Sequence, residues 1–483
     1  MSHTTRSRAR LRQSRLHCLL LLATITLLAR PSFAQNQEVL STQFTLEQAV
    51  DYALAHYPAV RISLAHLAQA QANVSLAKTQ YLPSANMLWQ SNRATFNNIF
   101  GQMLPQATIP SMSGPVLAGT SNTSTWGSAG GVLGSWQPFD FGLRHANVLE
   151  AQAGTNIAAQ VANVTRLQVA QATANAFLGV VSAQQTVTVA QANVDRWQTF
   201  DKSIHVLVNN QLRAGADASQ ADAELAAART QLIQAQTAAE VAKSMFAALL
   251  EVPTANVVLV PDSVLQLPSA VIPEADVKQN PFALEQQANV DFAQSAVHVL
   301  DRTYYPQFNL EGALYGRGSG VDTTGHVGSG TSGLGIDREN WAVGISVTFN
   351  PTQIFALREQ HKAAEANVQA QQAQYDQTVH DLGYGVEQAQ SQLKGAQQIA
   401  QNTPIQLAAA RTSETQAQAQ YKASLATIVQ VAQAESLLAQ AEVDDAQARL
   451  NVWRTLIAVA ASQGNVQPVL DLLHNNATNG EKH

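Results

Sequence analysis

Trp341-Ala342-Val343-Gly344-Ile345-Ser346-Val347-Thr348-Phe349-Asn350 alternates large apolar residues with small or polar ones from end to end. A period of two places the five large side chains on one face of an extended strand. One loop earlier, Phe308, Leu310, Gly312 and Leu314 alternate with Asn309, Glu311, Ala313 and Tyr315 in the same way. A second pair lies far upstream. There Met87 and Trp89 alternate with Asn86 and Gln90, while Trp126 to Phe139 is less regular and carries glycines 127, 130, 131 and 134. Strands of about ten residues with one apolar face suit a tilted membrane span. Trp136, Phe139, Trp341 and Phe349, near strand ends, fit an aromatic girdle in contact with outer-membrane lipid. For any one strand taken alone, the edge of a soluble sandwich is the alternative.

The two strand pairs belong to an internal repeat. Tyr81-Leu82-Pro83-Ser84-Ala85-Asn86-Met87 faces Tyr304-Tyr305-Pro306-Gln307-Phe308-Asn309-Leu310, an offset of 306 − 83 = 223. Trp136-Gln137-Pro138-Phe139-Asp140 faces Val347-Thr348-Phe349-Asn350-Pro351, at 349 − 139 = 210. Arg213-Ala214-Gly215-Ala216 faces Lys422-Ala423-Ser424-Leu425, at 424 − 215 = 209. Three anchors in one order imply duplication. The expected units are a first repeat over 35–251, with strands about 84–94 and 125–138, and a second over 282–462, with strands about 307–316 and 341–350. A linker over 252–281 holds Pro253, Pro261, Pro268, Pro273 and Pro281, which forbid a long helix. A tail over 463–483 ends in Asn475-Asn476-Ala477-Thr478-Asn479-Gly480, a stretch expected to be disordered.

Between these landmarks the period changes to that of a helix. Leu225, Ala228, Leu232, Ala235, Ala239, Ala242, Phe246 and Leu249 recur at spacings of three and four, as do Leu167, Ala170, Ala174, Phe177 and Val181. These are coiled-coil seams, with long helices expected over 143–212, 217–250, 354–420 and 427–462 and a leading helical stretch over 44–78 or 281–302. The seams are rich in alanine. At about 0.8 kcal/mol per buried methylene, such a seam is weak per residue and must be long and shared by many helices. The polar positions hold amides, as in Gln369-Ala370-Gln371-Gln372-Ala373-Gln374.

That pattern accounts for an unusual composition: 483 residues with only 13% charged, 6% aromatic and mean hydropathy −0.08. The formal net charge of −6 argues against a nucleic-acid partner. Residues 1–34 hold six arginines and no acid, with the apolar run Leu19 to Ala29 and small residues Ser32 and Ala34. This is the order of a signal peptide cleaved after Ala34. The run is short for a bilayer span of about 20 residues, which disfavours the alternative of an N-terminal anchor. The exported chain would have 28 − 6 = 22 basic against 34 acidic residues, a net −12, and would lose its one cysteine, Cys18.

The strand pairs are joined by Gly101 to Ser124 and Gly316 to Asp337, rich in glycine, serine and threonine and read as flexible loops outside the membrane. The second has no Gly-Lys-Ser/Thr ending, so it is not a phosphate loop. An enzyme is not expected: there is no cysteine nucleophile in the exported chain, no paired-histidine zinc motif and no Gly-x-Ser-x-Gly elbow. His361 and Glu365 stand at helical spacing but lack a third ligand, and His56, His66 and His380 read as ordinary helix residues. No cofactor or metal is expected. Four membrane strands cannot close a barrel, and an open edge in lipid costs several kcal/mol per unpaired backbone group. Two copies would give eight strands and no useful hole; three would give twelve and an aqueous lumen.

With these features the chain resembles the TolC-like outer-membrane efflux proteins, also called outer-membrane factors. The resemblance covers nearly all of the exported chain. It implies a fold that is mainly α with membrane β, a trimeric 12-stranded β-barrel continued by a long periplasmic α-helical barrel, with 252–281 in an equatorial belt. It implies a passive conduit in the outer membrane of a Gram-negative cell, serving tripartite efflux or type I secretion. The implied partners are two further copies, a periplasmic adaptor protein and an inner-membrane transporter. The family turns each helical hairpin at short tip motifs, matched here by Leu212-Arg213-Ala214-Gly215-Ala216-Asp217-Ala218-Ser219 and by Tyr421-Lys422-Ala423-Ser424-Leu425-Ala426-Thr427. Arg213, Gly215, Asp217, Ser219, Asp222, Tyr421, Ser424, Thr427, Gln430 and Gln433 are therefore the expected docking and gate residues. Ser424 stands where the family usually has glycine, and Gln430 and Gln433 where its best-known member has a ring of aspartates. Asp217 and Asp222 could supply carboxylate rings, or be acids favoured early in a helix by its dipole. The competing reading is a periplasmic coiled-coil adaptor or structural envelope protein, against which the two strand pairs argue.

Overall fold

The computed structural model describes residues 43–480 apart from 96–118, 121, 262–263, 269–272, 323 and 325. The expected signal peptide and most of the loop over 101–124 lie outside the described residues. The first copy of the repeat runs α1 (Leu46–His56), α2 (Pro58–Thr79), β2 (Ser84–Thr95), β3 (Ser124–Phe139), α3 (Leu143–Asn209) and α4 (Gly215–Leu250). The second runs α5 (Pro281–Thr303), β5 (Gln307–Ser319), β6 (Arg338–Thr348), α6 (Gln353–Lys422) and α7 (Ile428–Ser462). A two-residue strand β1 (Gln43–Phe44) pairs in parallel with β4 (Val258–Leu259), tying the start of the described chain to the linker. The stretch read as one helix from 44 is two: Pro58 has no amide hydrogen to donate, so it opens α2 after Tyr57 and ends α1.

β2, β3, β5 and β6 form one antiparallel sheet in that order. The register sorts the side chains. Met87, Val132, Leu314 and Trp341 share one cross-strand row, and Trp136, Leu310 and Ile345 share another on the same face. The opposite face carries Asn86, Ala313, Ala342, Glu311, Gly344 and Asn340. On the apolar face Met87 is 84% exposed, and Trp341 and Ile345 are each 76% exposed. β2 and β6 each have one edge with no strand beside it among the described residues.

The segment after β5 corrects the expectation of a free loop. Over the described residues it folds back on the sheet, with Ser128 Oγ donating to the carbonyls of Gly333 at 2.8 Å and Gly335 at 3.1 Å. Glycine permits the approach: a Cβ on Gly318 would lie 1.7 Å from the Gly335 carbonyl, and Gly333 has φ +94°.

Two helices of 67 and 70 residues, α3 and α6, give the molecule its length, about 100 Å at 1.5 Å per residue. Each is covered in two stages. At the strand end α2 packs on α3 and α5 on α6; at the far end α4 packs on α3 and α7 on α6. α3 also packs against α5 and α7, so it joins the two copies. The far-end seams are largely alanine, such as Ala396, Ala400 and Ala448 with Val452, or Ala410 and Ala441 with Leu438. Large side chains gather midway. Phe177 meets Phe246 edge to face at 5.8 Å, and Trp453 is fully buried with its indole N–H donating to the Gln266 carbonyl at 2.7 Å. α6 continues through Pro404, which forgoes one backbone hydrogen bond in mid-helix.

The tail also differs from expectation. Residues Gln467–Gly480 form a helix, α8, and Val469, Leu470 and Leu473 on it are buried. The turn into it is fixed by Gly464 at φ +91° and by Asn280 Nδ2 donating to the Ser462 carbonyl at 2.8 Å. The polar sequence of the tail hid an apolar face three residues wide.

Replacing Trp453 with alanine removes the largest buried side chain and leaves the Gln266 carbonyl without its donor. The expected loss is about 3–5 kcal/mol, read as a lowered unfolding midpoint in detergent. A midpoint within a degree or two of the parent would show that the midway core does not govern stability.

Candidate functional site

The ends of the two helical hairpins carry a set of specific polar contacts between the two copies. α3 ends with Gln211 at φ +61°, with Gln211 N–H donating to Val208 O and Leu212 N–H to Leu207 O, both at 2.9 Å. α6 ends in the same way, with Ser424 at φ +61°, Ser424 N–H donating to Tyr421 O and Leu425 N–H to Gln420 O. These are left-handed helix stops of one type. They correct the repeat register at the tips. Ser424 matches Gln211, at 424 − 211 = 213, and Gly215 matches Ile428 as the first residue of its helix. Gly215 therefore needs no glycine conformation, and open space surrounds it. The sequence alignment had followed a glycine-like residue instead of the helix stop.

At the tips the structure brings together Arg213, Asp217, Tyr421 and Ser424. The Arg213 guanidinium lies over the Tyr421 ring, 4.3 Å from its centroid, and donates to the Tyr421 carbonyl and to Ser424 Oγ, the latter at 3.2 Å. Tyr421 Oη donates to Asp217 Oδ2 at 2.8 Å. Tyr421 is only 1% exposed, packed edge to face on Phe200 at 5.4 Å, with Trp197, Ile204, Ala221 and Val431 completing the cluster. Its phenol pKa is pushed up to about 12, first by burial and then by the bond to Asp217, so it stays a neutral donor at every physiological pH. Each hairpin thus supplies half of an interlock: Arg213 and Asp217 from the first, Tyr421 and Ser424 from the second.

The other expected residues stand apart from it. Thr427 and Gln430 form a capping box for α7, with Gln430 Oε1 accepting from the Thr427 amide at 2.8 Å. Ser219 and Gln433 are exposed on α4 and α7. Asp222 faces away from Tyr421 and pairs with His205 at 3.1 Å.

Above the interlock, sequence reading missed a buried ion network. Arg196 on α3 donates Nε to Glu435 Oε2 at 3.0 Å and Nη2 to Glu442 Oε2 at 3.1 Å, both on α7. From α6, Gln418 donates to the second Glu435 oxygen at 3.0 Å, and Arg411 approaches Glu442 at 3.8 Å. Glu435 is 1% exposed, and removing a partner from such a pair costs about 3–5 kcal/mol. A signal existed: Glu435 interrupts the apolar spacing Val431, Ala434, Leu438. Burial, with a smaller contribution from Glu414, pushes the Glu435 pKa up to about 6 against the pull of Arg196 and Gln418.

At the opposite end the expected girdle residues Trp136, Phe139 and Phe349 sit with others that the sequence reading had not assigned there. Phe139 meets Phe141 at 4.6 Å, Phe141 stacks on Tyr305 at 5.0 Å, and Tyr304 meets Phe349 at 6.4 Å. Trp136 Nε1 donates to the Tyr81 carbonyl at 3.1 Å, and Arg144, bonded to Asp140 at 2.8 Å, lies over the Tyr81 ring. Trp341 is eight residues from Phe349, about 26 Å along a strand at 3.3 Å per residue. No helix among the described residues is long and apolar enough to cross a membrane.

Comparison with known proteins agrees with this geometry. Residues 275–465, the second copy, match the family model described as outer membrane efflux protein. No curated protein matches the chain. Among solved structures, the fold is similar to the outer-membrane channel OprN, with TM-score 0.67 and 19% identity over 87% of this chain and 90% of that one. It is likewise similar to VceC of Vibrio cholerae, with TM-score 0.68 and 17% identity over 87% and 96%. The open-state MtrE channel of Neisseria gonorrhoeae gives TM-score 0.68 and 16% identity over 87% and 89%. The second copy thus carries the pattern of the outer membrane efflux protein family, and the fold of these solved channels extends over both copies.

Two measurements probe the tips. Tyr421→Phe removes one hydrogen bond to a charged acceptor, about 1.5–3 kcal/mol, and should lower the unfolding midpoint while Lys422→Ala does not. Glu435 holds its proton more tightly folded than unfolded, so it contributes stability below pH 4.5 that is lost as pH rises through about 6. Glu435→Gln should flatten the midpoint-against-pH curve over that window, and an unchanged slope would remove Glu435 from the account.

Proposed function

We propose that three copies of the chain close a twelve-stranded barrel, with the helices forming a periplasmic tube that is shut at its tips and opens for efflux. The observation that carries the assembly is the sheet with two open edges: three sheets of four strands pair every edge, and a lone sheet in lipid does not. The polar sheet face then lines a wet lumen and the apolar face meets lipid, with Trp136, Phe139, Trp341 and Phe349 at the interfaces. In this reading residues 1–34 are a signal peptide, 35–251 and 282–462 are the two repeats, 252–281 is the equatorial linker and 463–483 is the tail.

The interlock of Arg213, Asp217, Tyr421 and Ser424 is the closed state of the gate. It ties hairpin to hairpin by contacts that a competing helix could replace, so a periplasmic adaptor that packs on the tips shifts the equilibrium towards open. Ser219, Asp222, Thr427, Gln430 and Gln433 belong to the surface that it meets. Energy comes from an inner-membrane transporter, whose conformational cycle acts through the adaptor. Gln430 and Gln433 leave the second repeat without an acidic ring, and Asp217 is engaged with Tyr421 while the gate is shut. The reading as an adaptor or structural protein has no use for a sheet with an exposed apolar face.

Recording from purified protein in planar bilayers tests the gate. The parent should give small, brief openings, and Arg213→Ser combined with Tyr421→Phe should raise conductance several-fold. Absence of conductance in both, with trimers present by cross-linking, would overturn the conduit. Equal conductance in both would overturn the interlock alone.

A further inference from the structure

Two turns inside the first tip, three side chains converge outside the interlock of Arg213, Asp217, Tyr421 and Ser424. Asp201 and His205 are four residues apart on α3, so they share one helix face. Asp222 reaches them from α4. His205 Nε2 lies 3.1 Å from Asp222 Oδ1 and 3.5 Å from Asp201 Oδ1, and one donor atom from each of the three residues lies within 4.8 Å of the others. We propose that Asp201, His205 and Asp222 bind one divalent transition-metal ion of the zinc class, which staples α3 to α4.

The distances fit. Bonds of 2.0–2.2 Å at tetrahedral angles set two donors about 3.3 Å apart. Two of the three separations are already there, and the third closes by a small rotation of Asp222, whose side chain is 61% exposed. The burial of one of these atoms adds to that spacing. Asp201 Oδ1 is buried and accepts no hydrogen bond, although its side chain is 14% exposed overall. It faces His205 Nε2 at 3.5 Å, too far for a strong hydrogen bond, and a cation at the point of convergence would satisfy it.

His361 provides the contrast on the same chain. Its Nε2 faces Asp301 at 3.0 Å and its Nδ1 faces Glu365 at 3.5 Å. Those carboxylates approach opposite ring nitrogens, so no single ion can be reached by both and by the ring. At His205 both carboxylates meet the same nitrogen.

One imidazole and two carboxylates, without thiolate, select borderline divalent cations such as Zn²⁺, Co²⁺ or Ni²⁺ over Cu⁺. Two carboxylates and a neutral imidazole also balance the ion's charge. The imidazole must be neutral to bind the ion, so protons compete with it. The binding claim does not depend on how the channel opens.

Full-length protein purified without a histidine tag would be titrated with Zn²⁺ against a chromophoric chelator, and with Co²⁺ followed by its visible absorption. The expected result is one ion per chain, with affinity that falls as pH drops from 7.5 to 6. His205→Ala, Asp201→Asn and Asp222→Asn should each weaken binding by at least about tenfold, while His361→Ala leaves it unchanged. Thermal melts without metal would establish that each variant is folded, and exposed Asp222 supplies the variant least able to disturb packing. Failure to bind Zn²⁺ below millimolar concentration, or equal binding in parent and His205→Ala, would overturn the site.

Discussion

A backbone amide or carbonyl that faces lipid without a partner costs several kcal/mol, and in the proposed assembly that constraint organises the molecule. The chain builds a sheet of four strands, β2, β3, β5 and β6, and leaves an edge on each side. A barrel with no edges requires those two sides to meet their counterparts on other copies. Once the strands are arranged about an axis, the helices that leave them are arranged about it too. In the proposed trimer the 67- and 70-residue helices have neighbours on both sides, and a seam of alanines becomes sufficient because it is repeated around a ring. The same seam would hold a lone hairpin poorly.

The economy of charge follows. Only 13% of residues are charged, so the polar contacts between elements stand out by position. Arg144 with Asp140 fixes the junction of sheet and helix. Arg196 with Glu435 and Glu442 ties α3 to α7, and Arg213 with Tyr421 and Asp217 ties tip to tip. Each joins elements that seams of small residues leave free to slide. Specific polar contacts in this chain set register and angle, while packing supplies the bulk of the stability.

The strands, the duplication and the long helices were legible because each rests on a period. Residues such as Trp341, Val343 and Ile345 announce a strand face without any knowledge of what pairs with them. The tips were less legible. Gly215 and Ser424 looked equivalent because both are small, yet the helix stop that repeats is a backbone event at Gln211 and Ser424, and neither residue is the usual glycine. Local sequence says little about which non-glycine residue will accept a left-handed turn. Glu435 and His205 were missed because their meaning lies in partners 239 and 17 residues away, Arg196 and Asp222. The loop at Gly316 to Asp337 looked free because glycine reads as freedom until a second backbone takes the space it leaves.

The matched helix stops have a consequence for symmetry. Within one chain the two turns have nearly the same backbone, but Val208 occupies the place of Tyr421, and Asp217 the place of Gln430. In the proposed trimer the rim presents six turns of one shape in two alternating chemistries. Rotated by a sixth of a revolution, the rim would look unchanged to anything that feels only its contour. To anything that reads side chains it would be out of phase. Shape and chemistry on this rim thus specify different rotational orders, and only the second distinguishes one copy's first hairpin from its second.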